Sequence, residues 1–125
     1  MDMTMEISLR AYPVNQNREM LLLAMEKFAA VGSPRGSRDA PGNMLDGIKL
    51  EETFRNLGFR VKFDRKGEFT GAEAMAAVRD FVNRMDPDVD MASIGILSHG
   101  NFNQGGQVIE FSDGATIGLD FGHKL

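Results

Sequence analysis

Residues 92–100 read Ala-Ser-Ile-Gly-Ile-Leu-Ser-His-Gly. The run 92–97 is short, apolar and rich in Ile and Leu, the pattern of a strand buried on both faces of a parallel sheet. Ser98-His99-Gly100 then falls at the C-terminal end of that strand. This is the edge of an open α/β sheet where ligands and catalytic groups gather. Position alone does not make a site, since a lone histidine before glycine can simply end a strand and accept a turn hydrogen bond.

Upstream, Thr70-Gly71-Ala72-Glu73 has the spacing of a capping box and opens a helix reaching about Met85. Its core stripe is Met75, Val78, Phe81 or Val82, and Met85, and Asp86-Pro87-Asp88 stops it. Before it, Phe59-Arg60-Val61-Lys62-Phe63 alternates strictly, predicting a half-buried strand, and residues 64–67 turn the chain. Residues 44–57 put Ile48, Leu50, Phe54 and Leu57 roughly on one helical face, with Gly58 as the C-cap. Residues 29–43 hold the Gly, Pro and Ser of a loop. The block 19–28, EMLLLAMEKF, suits a buried parallel strand, but its Leu, Met, Ala, Glu and Lys are also good helix formers. Propensity alone leans to helix for 19–28; with the strand that the resemblance given below implies there, the order is strand, helix, strand, helix, strand, which predicts a parallel sheet with helices on its faces.

Downstream, the segment after His99 is rich in Gly, Asn and Gln as far as Gly106, residues 107–111 alternate, and Ser112-Asp113-Gly114 is a turn. A small loop or hairpin projects there. Residues 115–125 show no strong periodicity.

A chain of 125 residues accommodates one small domain or a large fragment of one. Hydrophobic residues at 42% and charged residues at 26% exclude global disorder. A net charge of −4 with scattered Lys and Arg gives no footprint for nucleic acid or anionic lipid. The longest apolar run, 20–25, is far below the roughly 20 residues that span a bilayer, and no secretory signal precedes it, so a cytoplasmic location is expected. No cysteine is present, which excludes disulfides, thiolate metal sites and a thiol nucleophile within these residues. His99 and His123 lack metal-site spacing, and no cofactor is expected.

Several segments together carry a resemblance. Leu50-Glu51-Glu52-Thr53-Phe54-Arg55-Asn56-Leu57-Gly58-Phe59, the valine strand after it, the Phe69-Thr70 helix start, Phe81, and Ile96-Leu97-Ser98-His99-Gly100 resemble the caspase large-subunit (p20) pattern in order and approximate spacing. The match extends from Tyr12-Pro13 through the strand ending in Phe28 to Ser112-Asp113-Gly114. The resemblance implies a three-layer α/β fold over a single partial domain, 1–125, with its core at about 12–114. Its sheet is mainly parallel with helices on both faces, incomplete, and followed by a small hairpin.

The family is one of cysteine endopeptidases that cleave after aspartate in apoptosis or inflammation. A thiolate attacks the peptide carbonyl, a histidine transfers the proton and backbone amides hold the oxyanion. By resemblance, His99 falls at the histidine and Gly100 at the oxyanion-hole glycine. The family arginine that grips the substrate aspartate falls at Arg38, with Arg35 as the alternative, although Arg38-Asp39-Ala40-Pro41-Gly42 lengthens the interval to Asp46 and Leu50.

The family cysteine lies in a Gln-Ala-Cys-x-Gly segment roughly 50 residues after the histidine. Only 26 residues follow His99 here. The expectation is therefore a portion of a caspase-like endopeptidase that is inactive alone, with an unpaired third-strand edge prone to association. The alternative is a non-catalytic homologue acting as decoy or regulator. The implied partners are a protein substrate and a caspase small subunit, caspase or adaptor.

Overall fold

Arg18–Met25 is a strand, β1, resolving the ambiguity its residue preferences left open. The reason lies in where its side chains go. Leu21, Leu23 and Met25 pack with Phe69, Ala74, Val78 and Phe81 in one cluster, whereas Met20 and Leu22 pack with Phe59 and Val61 in another. This period-two division sends alternate residues to opposite faces. Each buried Leu or Met contributes about 1.5–3 kcal/mol, against helix-propensity differences of about 0.7 kcal/mol or less per residue, so burial decides.

The computed structural model describes residues 17–28, 39–103 and 106–118. After β1 come α1 (Gly42–Asn56), β2 (Phe59–Gly67), α2 (Gly71–Asn83), β3 (Met91–Leu97), β4 (His99–Asn103), β5 (Gly106–Glu110) and β6 (Thr116–Gly118). β1 pairs in parallel with β2, Met20 opposite Val61, and with β3, Leu22 opposite Gly95, giving the order β2-β1-β3. The two crossovers run to opposite sides of β1. Right-handed connections of that kind put α1 and α2 on opposite faces, and the two clusters match that arrangement, with Leu50 and Phe54 of α1 against one and Val78 and Phe81 of α2 in the other. The fold is the α/β arrangement expected, a parallel sheet flanked by helices.

Several local expectations are corrected. α1 begins at Gly42, inside the expected loop, and its inward face is Gly47, Leu50 and Phe54. Ile48 and Leu57 are exposed, at 38% and 54%. The glycine is the reason: a Cβ on Gly47 would overlap the Phe63 ring, so the helix sits close to β2 along a line that leaves Ile48 to one side. Leu57 is the C-cap, and Gly58 follows with φ 89°, a conformation that suits glycine. Arg18, itself buried, donates through Nη1 to the Leu57 carbonyl at 2.8 Å, satisfying an acceptor the helix end leaves over.

β2 does not turn at Asp64. It continues to Gly67, with Met25 opposite Gly67 after an irregularity between Leu23 and Met25. In α2 the capping box is present: Glu73 N–H donates to Thr70 Oγ1, and Thr70 N–H donates to Glu73 Oε1, both at 3.0 Å. Its buried residues are Ala74, Val78 and Phe81, with Val82 exposed and Met75 only half-buried.

β3 is half-buried rather than enclosed, with Ala92 exposed. Among the described residues it pairs with β1 alone, and within them its other edge carries unpartnered backbone. Downstream, the expected loop or hairpin is a three-stranded antiparallel sheet, β4-β5-β6, whose last strand lies in a stretch without sequence periodicity.

Candidate active site

Leu97 closes β3, Ser98 links, and His99 opens β4. His99 thus stands where the chain leaves the C-terminal edge of the parallel sheet and enters the antiparallel one. The Ser98 hydroxyl donates to the His99 carbonyl at 3.1 Å. The His99 ring packs on Phe28, with centroids 4.2 Å apart and planes at 47°. Phe28 is 5% exposed, so the imidazole leans on a rigid apolar surface while remaining half-buried itself.

That surface is tied down from both sides. Glu26 N–H donates to the Gly67 carbonyl at 2.8 Å and Ala40 N–H to the Glu26 carbonyl at 2.7 Å. Asn43 Nδ2 donates to the Met25 carbonyl at 2.8 Å, and Phe28 N–H to Asp39 Oδ1 at 3.3 Å. The C-terminal ends of β1 and β2 and the start of α1 therefore meet beside His99. Arg38, the carboxylate-binding candidate, and its alternative Arg35 lie outside the described residues, as do Tyr12-Pro13 and His123. Asp39, next to Arg38 in the chain, is the residue bonded to Phe28.

The antiparallel sheet is fastened to the α/β body through Ser112. Phe69 N–H donates to the buried Ser112 Oγ at 2.9 Å, and Ser112 N–H donates to the Phe69 carbonyl at 2.8 Å. Asp113 Oδ1 accepts from Gly71 N–H and Ala115 N–H, both at 3.2 Å. Phe111 is 2% exposed and belongs to the α2-side core. Within the sheet, Gly100 is opposite Ile109 and His99 is opposite Glu110.

Sequence reasoning missed Phe28 as the ring partner, Ser112 as the fastener, and Glu110, which is only 3% exposed. The signal for Glu110 was present in Val108-Ile109-Glu110-Phe111, a carboxylate within an apolar run. The other two depend on tertiary placement. Two surface hollows lie elsewhere: one of about 240 Å³ beside Glu19, Lys62 and Arg84, and one of about 370 Å³ between α2 and β6. Neither is lined by His99. Among the described residues, no group of three or more His, Cys, Asp or Glu could hold a metal, and no helix is long and apolar enough to cross a membrane.

The family model for the caspase domain, Peptidase_C14, matches residues 18–124. The chain belongs to the caspase family. A search of curated proteins gave no match. In this caspase domain the matched span takes in every described strand and both helices. It relates the chain to caspase-like proteases and so to protein substrates or partners in general.

Proposed function

We propose that this caspase domain is a portion of a cysteine endopeptidase cleaving after aspartate, in which His99 performs proton transfer and the Gly100 amide contributes to the oxyanion hole. The observation that supports it is the placement of His99, half-buried against Phe28 at the C-terminal edge of the parallel sheet. A thiolate delivered there from residues beyond these 125 would gain its proton acceptor. Arg38 is assigned to the substrate carboxylate by the family resemblance, and a cytoplasmic location and a role in cell death or inflammation belong to the same proposal. The 125 residues carry no thiol, so they are inactive alone.

The test is to read the transcript beyond Leu125 and to assay the protein it encodes. An in-frame Gln-Ala-Cys-x-Gly segment, cleavage after Asp, and loss of cleavage in His99→Ala support the proposal. Cleavage after Asp by the 125 residues alone would overturn it.

A second reading is a non-catalytic homologue that binds a caspase or adaptor; in the family pattern the thiol that decides between the two falls beyond Leu125. A stop codon after Leu125, with co-purification of an active caspase whose rate changes on binding, selects this reading over the first.

A further inference from the structure

Glu110 is a carboxylate at 3% exposure in the middle strand of the antiparallel sheet. Burying a carboxylate is costly unless donors close by compensate it. Its neighbours across the sheet are His99 on β4 and Thr116 on β6. Directly opposite residues of an antiparallel pair project to the same face with Cβ atoms about 4.5–5.5 Å apart, within reach of a Glu and a His side chain. The row His99, Glu110, Thr116 therefore carries an imidazole, a carboxylate and a hydroxyl in successive strands on one face. Phe28 backs the imidazole ring at 4.2 Å. The ring is thus backed by an aromatic surface, and the residue at the register position opposite it carries a carboxyl group.

We propose that Glu110 is the positioning residue for His99, its carboxylate fixing the orientation and tautomer of the imidazole. An acceptor facing one ring nitrogen holds the proton there and leaves the other nitrogen as the base, so Glu110 acts through His99 and touches no substrate. Thr116, which is exposed, stands opposite Glu110 on the far side, on β6. The inference rests on the assignment of His99 as the working base for its consequence in catalysis, but the geometry and its test do not require it.

The test reads the ring nitrogens by ¹⁵N NMR in the chain as it stands, with His99 assigned against a His123→Gln variant. One tautomer is expected to dominate for neutral His99. Glu110→Leu should lower the ratio of the two tautomers by roughly tenfold, equivalent to about 1.4 kcal/mol. Glu110→Gln is a near-isosteric companion that guards against misfolding. Its carbonyl still accepts, so it should hold the ratio closer to that of the parent than Glu110→Leu does. If Glu110→Leu unfolds, the ratio in Glu110→Gln decides: the dominant tautomer retained, with ring nitrogen shifts displaced by loss of the neighbouring charge, supports the proposal. Parental shifts and ratio in any folded Glu110 variant overturn it. No thiol or cleavage enters the readout, so its failure leaves the protease assignment standing, and an inactive enzyme leaves this result intact.

Discussion

Phe63 Cζ occupies the place a side chain on Gly47 would need: a Cβ there would stand 2.6 Å from it. Gly47→Ala gains about 0.5–1 kcal/mol of helix preference, but overpacking of this kind costs about 1–3 kcal/mol. The Phe63 ring also has the Arg65 guanidinium over it at 5.0 Å, which hinders its retreat. A net loss of about 1 kcal/mol is expected in urea unfolding. In a Phe63→Leu background the same substitution should become neutral or stabilising, and an equal penalty in both backgrounds would refute the contact.

Ser112→Ala removes the acceptor for the buried Phe69 N–H. Leaving that donor unsatisfied should cost about 1–3 kcal/mol and loosen the β4-β5-β6 sheet on which His99 stands. Amide exchange in β4 and β5 is the measurement. Acceleration there beyond that in β1 and β2 is the expected result.

The start of α2 carries a pH dependence of defined sign. The Lys66 ammonium, donating to Glu73 Oε2 at 2.6 Å, and then the Thr70 N–H lower the Glu73 carboxyl from 4.5 to about 2. Because the folded value is the lower one, the cap's stabilisation is fully present above about 4.5 and is lost as pH falls towards 2. A carboxyl NMR titration should find the Glu73 midpoint near 2, and Lys66→Met should raise it towards 4.5. Thr70→Ala should cost about 1 kcal/mol.

The β3 edge should make the chain associate in a concentration-dependent way, visible by sedimentation velocity. Ala92 is exposed on this strand, and Ala92→Lys should reduce the association. Monomeric behaviour of the parent chain at all concentrations would count against an accessible edge.

Much of this architecture was legible because the signals were local. Thr70 and Glu73 announced α2, the alternation of Phe59, Val61 and Phe63 announced β2, and Ser98-His99-Gly100 fell at the sheet edge where the apolar run ended. What escaped were facts about neighbours distant in sequence. Ile48 looks like a core residue until the approach of Phe63 to Gly47 sets the helix rotation. Leu21 to Met25 read as helix by preference until two sheet neighbours enclose them. Glu110 acquires meaning only through the register that sets it opposite His99, a pairing that no spacing in the chain encodes.

The division of β1 between two clusters makes it a partition with a separate room on each side. Leu21 and Leu22 are adjacent in the chain yet share no packing neighbourhood. The penalties of Leu21→Ala and Leu22→Ala should therefore add almost independently in a double-mutant cycle. Leu21 and Val78, on different elements but in one cluster, should show a coupling of about 0.5–3 kcal/mol. Damage to one helix would then leave the opposite face standing, with β1 the wall on which both depend.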